Sequence, residues 1–268
     1  MQFRQKALSK LQSPEELDVP VRFARPQGRL ALAVTVVVMA AASFWAFTGS
    51  VSSKLSAPGL LTHAQGSYLL QSPYAGQVTR VLAEEGRLLS PGAPLAEVST
   101  DRGVRIVRAV AGGRLTTLLA KTGSVVTTGA DVATVERVSD PDEPLVAMLY
   151  VPGEEGGSIS VGAAVDLSVQ SVPQQRFGVL RGRVQAVGRA PRTQAQVAGF
   201  LGDTRLAEEF TRRGKPVAVL VRLERSSATR SGYRWSSADG PPYAVDSTTP
   251  VTGAVHLSDR HPVDWLLP

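Results

Sequence analysis

The first candidates for chemistry in this sequence are its three histidines, His63, His256 and His261. His256 and His261 stand five residues apart around Asp259, a spacing that could hold a metal ion between imidazole and carboxylate ligands. No further ligand follows nearby, and the chain has no cysteine, which excludes thiolate catalysis, cysteine-ligated zinc and disulfides. We therefore expect His256 and His261 to be solvated surface residues, and no metal site.

Acidic residues could supply general acid or base catalysis, and two adjacent pairs occur, Glu154-Glu155 and Glu208-Glu209. Neighbours on a strand or a helix do not face one site together, so neither pair forms a catalytic dyad. The sequence also contains no G-x-S-x-G, Walker A or H-E-x-x-H motif. We expect no catalytic residue, no bound cofactor and no enzymatic activity.

A basic surface is the third candidate, because the chain carries 29 Lys and Arg against 23 Asp and Glu, a formal charge of +6. Tyr233 and Trp235 alternate with Arg230 and Arg234, a pattern that could stack on nucleic-acid bases. The other basic residues are scattered and form no dense run. We therefore expect a β-hairpin edge with a mixed surface and no nucleic-acid partner.

An internal repeat is the most informative feature of the sequence. Residues 76–98 and residues 113–135 align without a gap at an offset of 37. The identical pairs are Gly76/Gly113, Thr79/Thr116, Leu82/Leu119, Ala83/Ala120, Gly86/Gly123, Gly92/Gly129, Ala93/Ala130, Ala96/Ala133 and Val98/Val135. Glycine supplies the positive φ of tight turns, so each copy is predicted to be a run of short strands. One copy cannot bury a face alone, and two packed about a pseudo-two-fold axis make a small β-sandwich.

The repeat motif resembles the lipoyl-like, or barrel-sandwich hybrid, domain. The pattern begins at Pro73-x-x-Gly76-x-Val78 and continues as Gly86-x-x-Leu89-x-x-Gly92-x-x-Leu95-x-x-Val98. Biotin or lipoate carriers use that domain, and so do membrane fusion proteins (periplasmic adaptors) of the HlyD type. The resemblance therefore implies either a carrier or an adaptor.

The linker between the two copies distinguishes these classes. Carriers need an acceptor lysine at this hairpin, and residues 99–105, STDRGVR, contain none. Lys121 lies inside the second copy, where we expect a solvated turn charge. HlyD-type adaptors often replace the linker with a long α-helical hairpin, for which this linker is too short. The sequence therefore indicates an adaptor without the arm that meets an outer-membrane channel.

An uncharged segment runs from Leu30 to Ser53. It is long enough to cross about 30 Å of hydrocarbon as a helix, and Phe44, Trp45 and Phe47 suit an interface at its far end. Arg22, Arg25 and Arg29 precede the segment, and only Lys54 follows closely. The positive-inside rule then places residues 1–29 in the cytoplasm and the bulk of the chain outside. A cleaved signal peptide and a buried core helix are the less favoured alternatives.

The C-terminal half is predicted to form a small antiparallel β-barrel of five or six strands. Strands at 145–151, 216–223 and 250–257 follow from their residues, with alternation at 216–223. Residues 159–169 resemble an adaptor pattern of a strand, a turn and a second strand, and 177–187 resemble the next strand. Within it, 204–213 is the one predicted helix, because Leu206 and Phe210 share a face.

The cytoplasmic segment contains Ser13-Pro14-Glu15-Glu16, a capping box that could begin a short helix.

Further motifs resemble the short HlyD-family adaptors of bacteriocin-type peptide export systems. They are the segments 13–18, SPEELD, 231–236, SGYRWS, and 262–268, PVDWLLP. This resemblance implies an ABC transporter (permease and ATPase) as partner, assembly as a homo-oligomer and the export of a peptide or small secreted product. The alternatives left open are a stand-alone membrane-anchored extracytoplasmic scaffold or binding protein and, less favoured, an extracytoplasmic hydrolase or a biotin-like carrier.

The sequence thus predicts a mainly β protein in four parts: a cytoplasmic segment, a transmembrane helix, a lipoyl-like barrel-sandwich hybrid domain and then a small antiparallel β-barrel. The expected boundaries are 1–29, 30–50, 51–139 and 140–268. The expected location is the cell (inner, cytoplasmic) membrane, crossed once, with lipid contacting residues 30–50.

Overall fold

A computed structural model describes residues 26–48, 53–138, 140 and 142–257 of the 268-residue chain. The chain divides into two units: one includes the described helix Pro26–Thr48, and the other is the β body, Ser52–Asp259. The predicted capping box at 13–16, His261 and the closing motif at 262–268 lie outside the described residues.

Helix α1 spans Pro26–Thr48. Pro26 occupies its first position, where the missing N–H of proline costs no hydrogen bond. The predicted transmembrane segment, 30–50, therefore coincides with α1 up to Thr48, and the helix begins four residues earlier than expected.

Eight short strands form the predicted sandwich. They are β2 (Ser67–Gln71), β3 (Gly76–Val81), β4 (Leu88–Leu89), β5 (Pro94–Thr100), β6 (Gly103–Arg108), β7 (Gly113–Leu118), β8 (Val125–Val126) and β9 (Asp131–Glu136). One sheet has the order β2-β9-β7-β4 and the other the order β6-β5-β3-β8, with every pairing antiparallel. The apolar core between them includes Leu70, Val78, Leu95, Val98, Leu115, Val132 and Val135.

The two sheets are topologically equivalent at the offset of the repeat. Strand β3 corresponds to β7, β4 to β8 and β5 to β9, and each copy sends its middle strand into the other copy's sheet. The correspondence also relates β2 to β6, so the structural repeat begins before residue 76, where sequence identity has faded. The predicted pseudo-two-fold sandwich is confirmed.

The glycines that open the two copies allow a close approach of strands. A Cβ added at Gly76 would lie 2.1 Å from the carbonyl oxygen of Ser99, and one at Gly113 would lie 2.2 Å from that of Glu136. Ser99 and Glu136 are themselves 37 residues apart, so the two contacts are symmetry equivalents. Only glycine fits at either position.

Six antiparallel strands form a closed barrel in the order β1-β10-β13-β12-β11-β14. They are β1 (Lys54–Thr62), β10 (Val146–Pro152), β11 (Ala164–Val169), β12 (Leu180–Val187), β13 (Pro216–Leu223) and β14 (Pro250–His256). Its core includes Leu61, Leu149, Leu167, Leu180, Val221 and Val255. The mainly β fold class with a small antiparallel barrel is confirmed.

The barrel is discontinuous in sequence. The expected boundaries place Lys54–Thr62 in the 51–139 domain, whereas the structure pairs this strand with β10 and β14 of the barrel. Closing the barrel removes the two edges that an open sheet would expose. The sandwich is therefore inserted into the barrel between its first and second strands.

The barrel half contains more helix than the one stretch expected at 204–213. Helix α4 (Thr204–Thr211) confirms that stretch, and it is preceded by α2 (Gln174–Phe177) and α3 (Gln194–Leu201), which the sequence analysis missed. Thr193 caps α3 in a capping box with Gln196, and this S/T-x-x-E/Q pattern was the available signal. Helices α3 and α4 pack on the barrel through a small apolar cluster, in which the rings of Tyr150 and Phe210 stack with centroids 5.0 Å apart.

Candidate functional site: hairpin tip, sandwich–barrel junction and apolar helix

The hairpin between β5 and β6 is where a carrier would hold its modified lysine. Thr100 pairs with Gly103, which leaves Asp101 and Arg102 as a two-residue turn. The Thr100 hydroxyl donates to the carbonyl of Gly103 and accepts from the N–H of Arg102, so the turn is tied internally. It is exposed and, in Val104 beside it, presents an apolar side chain that is 61% exposed. The tip is a short, internally hydrogen-bonded turn with no lysine to modify.

Lys121 lies elsewhere, in the turn between β7 and β8. It is exposed, and its backbone N–H donates to the hydroxyl of Ser124 at 3.1 Å. The pseudo-two-fold axis relates this position to Glu84, not to the hairpin tip. Its position agrees with the expected solvated turn charge.

His256, one of the proposed metal-spaced histidines, belongs to an ion-pair cluster on the barrel. Its Nε2 lies 2.8 Å from the Asp166 carboxylate, which also contacts Lys54 at 3.3 Å and Arg181. Burial alone would raise the pKa of Asp166, but hydrogen bonds from His256 and Lys54 and the charge of Arg181 lower it overall. Within the described ranges no three potential metal ligands converge. The cluster is a surface ion-pair network that connects strands β1, β11, β12 and β14.

The aromatic residues that could have stacked on bases, Tyr233 and Trp235, pack in or against the barrel core. Trp235 is 4% exposed and packs in the barrel core, and its indole N–H donates to the hydroxyl of Ser231 at 2.8 Å. The hydroxyl of Tyr233 accepts from the N–H of Leu145 at 2.9 Å. The expected hairpin edge with a mixed surface therefore does not hold at Trp235, whose ring is buried in the barrel core.

The junction between barrel and sandwich contains the most deeply buried charge among the described residues, and the sequence analysis did not find it. The Glu136 side chain, at the end of β9, is 0% exposed, and His63, just after β1, is 5% exposed. The imidazole Nδ1 lies 2.8 Å from Glu136 Oε1. The two residues stand where the chain leaves the barrel and where it returns.

Further hydrogen bonds satisfy the Glu136 carboxylate. Oε1 accepts from the backbone N–H of His63 at 3.1 Å and from the hydroxyl of Thr62 at 3.3 Å. Oε2 accepts from the hydroxyl of Ser247, in the segment before β14, at 2.6 Å. Burial alone would raise the pKa of Glu136, but the bonds from His63 and Ser247 and the charge of His63 outweigh it and lower that pKa. The carboxylate is therefore charged at neutral pH and links three segments.

Two neighbouring contacts brace the same junction. Arg137 lies 5.0 Å above the ring of Tyr68 and donates to the carbonyl of Ser67 at 3.2 Å. At the end of α3 the carbonyl of Gly202 accepts from the hydroxyl of Thr134 at 3.2 Å. The Arg137 contacts thus tie the segment that follows β9 to β2 within the sandwich, and the Thr134–Gly202 hydrogen bond joins the sandwich to the barrel half.

Helix α1 is apolar over a length that would cross a membrane. Residues Gly28–Thr48 form a 21-residue candidate span with none of its window buried. The hydroxyls of Thr35 and Thr48 donate to carbonyls four residues earlier, so these polar groups are satisfied within the helix. Trp45 is 61% exposed. By length and composition the helix suits a membrane anchor.

Comparison with protein families matches residues 69–135 to the biotin/lipoyl family model, described as "Biotin-requiring enzyme". The match covers a quarter of the chain and coincides with the sandwich. A search for curated relatives finds no match.

Several solved structures resemble the chain. ZneB from Cupriavidus metallidurans is 12% identical, with a TM-score of 0.49 over 78% of this chain and 100% of ZneB. MacA from Actinobacillus actinomycetemcomitans is 9% identical, with a TM-score of 0.48 over 80% of this chain and 81% of MacA. The membrane fusion protein Spr0693 from Streptococcus pneumoniae R6 is 10% identical, with a TM-score of 0.39 over 76% of this chain and 99% of Spr0693.

Identities and TM-scores this low establish no function. The described residues form a lipoyl-like sandwich with a lysine-free tip, inserted into a closed barrel, and one apolar helix long enough to cross a membrane.

Proposed function

We propose that this chain is a membrane-anchored adaptor, a membrane fusion protein of the HlyD type, that serves an export system and is not an enzyme. One observation carries the proposal: the lipoyl-like sandwich keeps the carrier's fold while its hairpin tip has no lysine to modify. A carrier domain without an acceptor group retains only a structural use, that of a rigid module for assembly.

The insertion of the sandwich into the barrel supports the same role. Both crossing segments meet at the buried Glu136 and His63, so a force or displacement on one domain reaches the other. A protein that couples a membrane component to something farther out needs such a rigid connection.

For the anchor, we propose that α1 crosses the cytoplasmic membrane once, with residues 1–29 inside and the β body outside. The arginines at positions 22, 25 and 29 support this orientation, since cytoplasmic flanks carry the excess of positive charge.

For the partner, we propose an ABC transporter in the same membrane, with a peptide or small secreted product as cargo and several copies of this chain around it. The support is the resemblance of segments 13–18, 231–236 and 262–268 to bacteriocin-type export adaptors. The short tip, too small for a helical arm, favours a system that does not need this chain to reach an outer-membrane channel.

The test is affinity purification of the full-length chain from gently solubilised membranes, followed by mass spectrometry. We expect an ABC transporter with its ATPase subunit to co-purify and to be lost when residues 1–53 are deleted. The matched control replaces residues 30–48 with an unrelated apolar helix of equal length, which restores membrane attachment and separates anchoring from recognition.

Recovery of the chain alone, under conditions that preserve another complex of the same membranes, would favour the stand-alone scaffold or binding protein. Labelling of the purified chain by streptavidin, or a mass shift at Lys121, would instead favour a carrier.

A further inference from the structure

A basic cleft on the outer face of the barrel has no part in the proposed function. It has a volume of about 830 Å³ and opens where β12 and β13 meet the segment that enters β10. Its lining includes four arginines, at positions 183, 222, 225 and 234, and its apolar base includes the buried Leu145 and Leu223.

Two of these arginines face each other in the sheet. Arg183 on β12 and Arg222 on β13 are register partners on adjacent antiparallel strands. The neighbouring pair Val184 and Val221 packs into the barrel core, so the two arginines share the outer face. Like charges directly opposite each other destabilise a sheet. Two arginines side by side do not stabilise a solvated surface, whereas a bound anion would offset the repulsion between their charges.

The cleft does not neutralise its own charge. Glu224 is paired with both Arg183, at 3.0 Å, and Arg234, at 3.3 Å. In the part of the chain that the structure describes, Arg222 and Arg225 form no ion pair. Glu143 is the other carboxylate of the lining. Four guanidinium groups therefore face two carboxylates.

We propose that this cleft binds an extended acidic peptide segment of a partner protein. Guanidinium groups form bidentate pairs with carboxylates, which favours an acidic ligand. An extended segment presents alternate side chains on one face, so its carboxylates can point together at the arginines of the cleft. The open surface suits a chain segment that stays partly in water better than a small ligand that needs enclosure. This inference does not depend on the export role.

The test measures binding of a fluorescent peptide of alternating Glu and Ser to the full-length chain in detergent, by anisotropy. The matched neutral peptide has Gln in place of Glu. We expect the double variant R183Q/R222Q to bind the acidic peptide at least about tenfold more weakly, because two charge-assisted contacts are lost. The control R102Q/R105Q removes the same charge at the hairpin tip and should leave the dissociation constant unchanged.

A second variant distinguishes a binding site from a structural cluster. E224Q removes the carboxylate that competes for Arg183 and Arg234, so we expect tighter binding of the peptide, whereas a merely structural role predicts no gain. Equal weakening by R183Q/R222Q and R102Q/R105Q would overturn the proposal, as would unchanged binding in R183Q/R222Q. Tighter binding of inorganic phosphate or phosphatidylglycerol vesicles, lost in the same variant, would assign the cleft to a phosphate ligand and overturn the peptide.

Discussion

The hairpin tip and the barrel junction occupy equivalent places in the sandwich and have opposite surroundings. Ser99, near the end of β5, and Glu136, at the end of β9, are related by the 37-residue offset, and each faces the glycine that opens its copy. Ser99 is exposed and leads into a two-residue turn. Glu136 is buried and leads back into the barrel through three hydrogen-bonding partners and the His63 imidazole.

The difference shows how a sandwich of two equivalent copies is connected to the barrel at one end only. The fold of the sandwich depends on features common to both copies, such as the turn glycines and the apolar core. The connection depends on one residue that breaks the symmetry, because a buried carboxylate is tolerated only where donors surround it. Changes at the junction should therefore be costly, and the same changes at the tip should not.

The largest effect is expected from Glu136→Ala. Removing one partner of a buried, hydrogen-bonded pair leaves His63 and Ser247 without their acceptor, and such losses cost about 3–5 kcal/mol. Guanidinium unfolding of the full-length chain in detergent, followed by circular dichroism, measures this loss.

Its control is Ser99→Ala, the symmetry-equivalent substitution at the tip. Because Ser99 is exposed, we expect a change in unfolding free energy within about 0.5 kcal/mol. Similar losses in the two variants would show that the junction is not special.

The second prediction concerns the glycines that open the two copies, Gly76 and Gly113, which make equivalent close contacts. Gly76→Val and Gly113→Val each force a side chain against a carbonyl oxygen, and we expect both to destabilise by about 1–3 kcal/mol. Thermal unfolding of both variants gives the comparison. Gly157→Ala is the control, since nothing lies within 4 Å of the added Cβ. A large asymmetry between the first two would contradict the equivalence of the copies.

These shared features explain why the sandwich could be predicted from the sequence. Glycines at fixed offsets and matched apolar positions are local signals, and Gly86, Gly92, Gly123 and Gly129 all adopt the positive φ that was expected of them. The equivalence of β2 and β6 was missed because it is retained in hydrophobic character, as in Leu70 and Val107, and not in identity.

The junction and the closing strand of the barrel could not be predicted in this way. Strand β1 pairs with β14, almost 200 residues later, and its own sequence does not show which sheet it joins. Likewise His63 and Glu136 are 73 residues apart, and only the insertion of the sandwich brings them together. A lone histidine and a lone glutamate give no signal of such a pair. Similarly, the arginines of the cleft are scattered in the sequence because they come from β12, from β13 and from the segment that follows β13.

The third prediction uses acid to weaken the junction without mutation. The pKa of Glu136 is lower in the folded protein than its ordinary value, so its contribution is present at neutral pH and is lost as pH falls through the folded pKa. We expect the free energy of unfolding to decrease as the pH falls from the ordinary pKa of glutamate towards the lower pKa of folded Glu136. The Glu136→Ala variant should lose less free energy of unfolding over the same pH interval. Unfolding curves between about pH 6 and about pH 3 measure the slope. The pKa of Asp166 is also lowered, so Glu136→Ala should keep part of the acid sensitivity, which Asp166→Asn should then remove. Parallel slopes for Glu136→Ala and the unmodified chain would contradict this assignment.

The smallest effect is expected from lengthening the tip. Inserting Gly-Ser-Gly-Ser between Asp101 and Arg102 lengthens an exposed turn, and the added loop-closure entropy costs about 1 kcal/mol or less. The same insertion between Arg137 and Val138 separates the Arg137 side chain, which lies over Tyr68, from the buried Val138 and should cost more. Thermal unfolding of the two insertion variants measures the difference. A tolerant tip would mean that this position can hold additional structure without disturbing the sandwich, whereas a tip as sensitive as the junction would mean that the turn itself stabilises the domain.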